Sequence, residues 1–172
     1  MSMAQLLVVL GLLGLLVIAV AIDVNRHRIP NSLLLLGLSV CLISRLYGEG
    51  LDGLTQAGWG LLVGFALFMP MYLLGGMAAG DVKLMAVVGS FLSPQGAMWA
   101  ALFSVLAGSL IGLLMIVLCG QLGRTLSRYL LMARSRSYLS PEANEVSTKA
   151  FPYSVAILIG TLTSLYWLRL SQ

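Results

Sequence analysis

The chain has 172 residues, 59% of them hydrophobic and only 9% charged, and its mean hydropathy is +0.99. A water-soluble domain carries roughly 25% charged residues, so the composition excludes that class and marks an integral membrane protein, with chain enough for one compact helical domain over residues 1–172. The net charge of +4 does not make nucleic acid an expected partner, because the basic residues fall between apolar segments, as topology signals do.

Residues 6–22 form an uninterrupted apolar run, long enough for a first spanning helix. A cleaved leader is the alternative, since Ala19-Val20-Ala21 resembles a cleavage site. Against it, no positive charge precedes the run, and a leader's apolar core is only about 7–15 residues. Arg26 and Arg28 follow, which makes this end cytoplasmic and sets the N-terminus outside. Ile29-Pro30-Asn31-Ser32 reads as a helix start, with Pro30 in the first turn and Asn31 or Ser32 as a cap. A second helix is expected over 31–47, with Arg45 snorkelling to the outer interface. An outer loop at 48–55 holds Glu49 and Asp52, and a third helix over 56–74 carries Pro70 as an expected kink.

Residues 75–81, Gly-Gly-Met-Ala-Ala-Gly-Asp, return the chain to the cytoplasmic side. The apolar run that follows, 82–92, is closed by Ser93-Pro94. Counted from Ala78 it covers about 15 residues, or roughly 22 Å at 1.5 Å each, short of a hydrocarbon core of about 30 Å. Charge decides between a re-entrant and a spanning segment. A fifth helix over 96–119 leads into a loop with Arg124, Arg128, Arg134, Arg136 and Lys149, and only a spanning fourth segment leaves this loop cytoplasmic. Within it, 121–132 reads as an interfacial amphipathic helix, and a sixth helix covers 151–170. The expected fold is all-α and polytopic, with six transmembrane helices and lipid around them. Eight of the ten Lys and Arg residues are then cytoplasmic, Arg45 and Arg169 being the exceptions. Gly108 and Gly112 form a GxxxG spacing that suits close helix packing, and Cys41 and Cys119 lie inside apolar runs as small core residues.

This topology sets Asp23 and Asp81 on one face of the membrane. They are the acids at the cytoplasmic ends of apolar segments. Glu49 and Asp52 belong to the outer loop, and Glu142 and Glu145 to the long inner one. A carboxylate at such a boundary is costly and is a functional candidate by default. Two carboxyls that share a site cannot both ionise easily, so one keeps a proton while the other is charged. That division suits aspartyl hydrolysis. The structural alternative is that Asp23 pairs with Arg26 or Arg28 and Asp81 caps the helix it opens. His27 beside Asp23 lacks a second His or a Cys pair, so no metal and no cofactor are expected. Lys83 either orients substrate or anchors the helix at the interface.

These residues resemble those of the type IV prepilin peptidases, membrane aspartyl proteases with a GxGD signature. Asp23-Val24-Asn25-Arg26-His27-Arg28-Ile29-Pro30-Asn31 is similar to the family's first motif, Ala78-Ala79-Gly80-Asp81-Val82-Lys83-Leu84 to its second, and Phe151-Pro152-Tyr153-Ser154-Val155-Ala156 to its last-helix signature. The resemblance implies Asp23 and Asp81 as the catalytic pair, with Gly76, Ala78, Gly80, Lys83, Pro30, Asn31, Pro152 and Tyr153 in support. Ala78 stands where the signature has its first glycine; either the backbone there is ordinary or Gly76 takes the turn. The resemblance further implies hydrolysis of the basic leader of prepilins and pseudopilins at the cytoplasmic face of a bacterial inner membrane. The connection 23–30 is far too short for the methyltransferase domain that larger members insert there. In this the chain resembles the short, peptidase-only form associated with tight-adherence (Flp) pili. The rival class is a non-enzymatic membrane subunit of a transporter or of a pilus or secretion assembly platform. A transporter is expected to keep its ionisable groups near the bilayer midplane rather than at its boundary.

Overall fold

A computed structural model describes residues 3–118, 120 and 152–170, and the regular structure among them is all helical. The helices are α1 (Met3–Arg26), α2 (Asn31–Leu73), α3 (Ala79–Phe91), α4 (Pro94–Leu118) and α5 (Tyr153–Leu170). The described residues fall into two compact units. One is 3–108 with 152–170; the other is 109–118 with Gly120, the end of α4 and the turn that closes it. The expected amphipathic helix at 121–132, its basic loop, Cys119 and Phe151 lie outside the described residues.

Three helices are long and apolar enough to cross a membrane, at Val8–Arg26, Asn31–Leu73 and Pro94–Leu118, and Tyr153–Leu168 is a shorter apolar helix. Their outward faces carry Leu35, Leu36, Ile43, Leu62, Leu106 and Ile159, all exposed. The interior instead buries Ser90, Ser104, Thr161 and Ser164 among small residues. This inversion of the water-soluble pattern is that of a protein dissolved in lipid, where small and hydroxylated residues join helices. Trp99, Phe103 and Trp167 cluster with ring centroids 5.7–6.4 Å apart.

α2 is not one rod. Gly50 has φ 64 and ψ −144, outside helical space, and divides it into limbs 31–49 and 51–73. The two limbs run in opposite directions beside α3. In the first, Lys83 Nζ bonds Asn31 Oδ1 at 3.1 Å near the start of α3, and Arg45 reaches Phe91 at its end. In the second the order reverses, with Gly60 against Gly89 and Gly64 against Met85. The expected second and third helices are thus both present, and the outer loop contracts to a sharp reversal at a residue that only glycine occupies comfortably. Pro70 keeps helical backbone angles; the interruption is at Gly50.

α3 has 13 residues, about 20 Å at 1.5 Å per residue. It need not match the bilayer, because every residue from Leu84 to Leu92 is buried in protein. The contact that encloses it is backbone on backbone. A Cβ on Gly60 would collide with the Gly89 carbonyl, one on Gly89 with the Gly60 carbonyl, and one on Gly64 with the Met85 carbonyl. The last carbonyls of a helix have no partner within it, and Phe91 and Leu92 at the end of α3 are buried. Arg45 meets this need. Its Nη2 donates to the Phe91 carbonyl at 2.7 Å and its Nη1 pairs with Glu49 at 2.9 Å, with the side chain only 11% exposed. The arginine expected to snorkel outward therefore turns inward and closes the C-terminal end of α3, where a cation also complements the helix dipole.

α4 and α5 are antiparallel. Ser164 Oγ donates to the Gly96 carbonyl at 3.2 Å, Gly160 abuts Ser104, and Gly108 faces the Tyr153 ring. α1 is antiparallel to the first limb of α2, with Gly11 near Val40 and Gly37 against Leu15.

Unfolding measurements on three variants of the detergent-solubilised protein check this packing. Gly89→Ala should lower the unfolding temperature sharply, with a cost at or above about 3 kcal/mol, because backbone cannot yield as a side chain does. Gly14→Ala, where an added Cβ meets nothing within 4 Å, should be neutral or slightly stabilising. Arg45→Ala should cost about 1–3 kcal/mol by stranding the buried Phe91 carbonyl.

Candidate active site

Asp23 lies in the last turn of α1 and is buried, with 6% of its surface exposed. Its Oδ2 accepts the Ser154 hydroxyl at 2.6 Å and the Ser154 N–H at 3.4 Å. Both donors come from the first turn of α5, where N–H groups have no carbonyl behind them in the helix. Arg26 and Arg28 are exposed, so the carboxylate pairs across the bundle rather than with its neighbours in sequence. His27, the residue after α1, adopts φ 49 and donates its N–H to the Asp23 carbonyl at 2.7 Å. His27 is exposed, and no group of three or more potential metal ligands occurs among the described residues.

Asp81 is the third residue of α3 and equally buried. Its Oδ2 accepts the Ala78 N–H at 3.2 Å, so it caps the helix it opens. Ala78 has φ −81 and ψ 153, an ordinary extended conformation. Alanine therefore fits where the resemblance has glycine. The residue that needs to be glycine is Gly75, at φ 75, while Gly76 donates its N–H to the Met71 carbonyl at 2.8 Å. Gly80 lies inside α3, where an added Cβ would come no closer than 3.6 Å to Ile29, an ordinary contact.

The two carboxyl groups, from α1 and α3, lie near enough for their charges to act on one another. Tyr153 is within electrostatic reach of Asp81, and its neighbour Ser154 holds Asp23. The first turn of α5 thus addresses both acids. Each acid is tethered through one oxygen to a helix N-terminal group, and the other oxygen, Oδ1, has no bonded partner among the described residues. The Tyr153 ring packs edge-on against Phe68 with centroids 5.9 Å apart, and its hydroxyl donates to the Ser104 carbonyl at 3.3 Å. A Cβ on Gly108 would run into this ring, so the glycine expected only to pack helices also fixes a residue beside the acids. Pro152 precedes α5, and its carbonyl accepts the Val155 N–H at 3.2 Å.

The remaining candidates form a bracket at the same end of the bundle. Pro30 is the residue before α2, with φ −70 and ψ 136 and no side-chain cap. Asn31, expected as a possible cap, instead gives its Oδ1 to Lys83. Lys83 is therefore engaged in tying α2 to α3. Ser154 is the residue that sequence reasoning missed. The signal was present: a hydroxyl directly after Pro-Tyr at a helix start, inside a motif already singled out.

Comparison with known proteins places this sequence in a family. Residues 10–117, well over half the chain, match the model of the type IV leader peptidase family. Three curated relatives are named prepilin leader peptidase/N-methyltransferase. The Myxococcus xanthus protein is 30% identical over 126 residues, 69% of this chain and 37% of its own length. The Bacillus subtilis protein is 33% identical over 114 residues, 65% of this chain and 45% of its own. The Stutzerimonas stutzeri protein is 32% identical over 120 residues, 66% of this chain and 40% of its own. The chain thus spans less than half the length of each of these relatives. No solved structure matches it at a comparable level. With both aspartates inside the matched region, the chain belongs to the type IV leader peptidase family.

Proposed function

We propose that the protein is an aspartyl endopeptidase that removes the basic leader peptide of type IV prepilins and pseudopilins, those of the Flp type in particular. The observation that carries this reading is the pair of buried carboxyls, each tethered through one oxygen and within electrostatic reach of the other. One carboxylate takes a proton from water as its oxygen attacks the scissile carbonyl. The other carboxyl gives its proton to the developing oxyanion; as the tetrahedral intermediate collapses, the first carboxyl passes the proton it took from water to the departing amine and the second recovers its own. No metal is needed in this scheme. The relatives' names point to prepilins as the substrate class.

The proposed site faces the cytoplasm of a bacterial inner membrane, with the N-terminus outside. Arg26, Arg28 and Lys83 all lie at the aspartate end, which is the cytoplasmic end by the positive-inside rule. The apolar helix of the substrate approaches from lipid while its basic leader stays in the cytoplasm, so the scissile bond reaches the depth of Asp23 and Asp81. That bond must be extended to be attacked, because a helical peptide bond has its carbonyl occupied. The turn 74–78, with Gly75 and Gly76, and the following Gly80 flank the extended strand. Pro30, Asn31 and Lys83 hold the start of α3, and Pro152 and Tyr153 the start of α5.

Purified protein mixed with a Flp-type prepilin, with products read by mass spectrometry, tests the proposal. Asp23→Asn and Asp81→Asn should each lower cleavage by at least about 100-fold while the protein still inserts and unfolds as wild type does. Near-normal processing by either variant would sink the two-aspartate mechanism and favour a non-enzymatic role.

The activity proposed is that of a peptidase without methyltransferase. Only His27 to Pro30 separate α1 from α2, which leaves no room there for an inserted domain. Incubated with prepilin and a radiolabelled methyl donor, the protein should leave the new N-terminus unlabelled; incorporation of label would contradict this.

A further inference from the structure

Among the described residues the buried hydroxyls divide into those bonded within their own helix and those that reach another, Ser164 to the Gly96 carbonyl of α4 and Ser154 to Asp23. Ser90, Ser104 and Thr161 donate to carbonyls three or four residues back in their own helices, at 2.6–2.7 Å. Ser154 cannot do so. It is the second residue of α5, and the residues three and four before it precede the helix. Its hydroxyl, fully buried, is therefore free to reach across the bundle, and it donates to Asp23 Oδ2 at 2.6 Å. Its N–H points at the same oxygen. The Asp23 side chain stands at the end of α1 with nothing else among the described residues to fix its carboxyl plane.

From this we infer that Ser154 is a positioning residue for Asp23. By holding Oδ2, it sets the carboxyl plane so that Oδ1 is the oxygen offered to the reacting water beside Asp81. The inference rests on the proposed peptidase reading and adds to it a third residue from a third helix, outside the matched region 10–117. Without the Ser154 hydroxyl, the weaker N–H contact alone holds Asp23, and the carboxyl samples orientations that do not face its partner. The loss falls on the chemical step, because Ser154 makes no contact that the substrate would share.

Three variants and two readouts test it. In steady-state cleavage of a Flp-type prepilin, Ser154→Ala should lower kcat by about 10- to 100-fold with KM nearly unchanged, as misplacement of a reacting group does. Ser154→Thr keeps the hydroxyl and should retain most of kcat. Ser90→Ala, which removes a buried hydroxyl bonded only within its helix, should leave kcat as in wild type. The second readout does not depend on peptidase activity. Labelling of Asp23 by dicyclohexylcarbodiimide, located by mass spectrometry, should be faster in Ser154→Ala than in wild type, since the carboxyl loses its tether. A kcat for Ser154→Ala within twofold of wild type overturns the inference, as does equal labelling, or equal loss in the Ala and Thr variants. Absence of cleavage by the wild type itself counts against the peptidase reading alone, and the labelling comparison then still decides whether Ser154 holds Asp23.

Discussion

The structure turns on enclosing a helix that is too short to cross a bilayer. At 13 residues, α3 has neither the length to reach both interfaces nor any tolerance for exposing its ends to hydrocarbon, where an unpaired backbone group costs several kcal/mol. The chain solves this by doubling back at Gly50 and gripping α3 between two antiparallel limbs. The grip depends on Gly60 and Gly89, whose backbones touch. Leucine-rich surfaces gain nothing by leaving lipid for each other, so close backbone approach and polar pairing are the forces available. Arg45 completes the enclosure by supplying the Phe91 carbonyl with a donor.

Once α3 is fixed in depth and rotation, so is Asp81. It sits in the first turn of a rigid, buried helix, and its carboxylate satisfies the N–H of Ala78. Asp23 is fixed by the opposite device. It projects from the last turn of α1 and takes its hydrogen bonds from the first turn of α5. In both cases a helix start meets the carboxylate. Unpaired N–H groups are found at helix starts in any case, so an acid there answers two needs at once, the helix's and its own. This is how a protein with few charges keeps two acids buried at one end of an apolar bundle.

Much of this order was legible in the sequence. Six apolar stretches in sequence order correspond to six helical stretches among the described residues, with α2 counted as two limbs. Following the basic residues along those stretches sets Asp23 and Asp81 at one end, and the two lie where α1 ends and α3 begins. What stayed hidden is what depends on distant partners. Arg45 looks like any arginine near a helix end until the carbonyl it meets, 46 residues on, is known. Asn31 looks like a cap until Lys83 claims its oxygen. A run of glycines does not say which member turns, and the positive φ fell on Gly75 rather than Gly76. Gly108 follows a helix-packing spacing, but its neighbour proved to be the ring of Tyr153.

The arrangement also bears on how the site is kept from closing on itself. Two carboxyls brought together in an apolar setting would readily satisfy each other, one donating to the other through whichever oxygens came nearest. Tethering one oxygen of each to a helix start removes that freedom and leaves one oxygen per acid for a third party. The tethers belong to different helices, α3 for Asp81 and α5 for Asp23, so the relative orientation of the acids follows from how those helices pack. The packing of α5 is itself read out beside the acids, since Tyr153 contacts Phe68 of α2, bonds the Ser104 carbonyl of α4 and lies near Asp81. The proposed chemistry, which needs two acids at a set angle, would thereby be conditional on these helices being packed together.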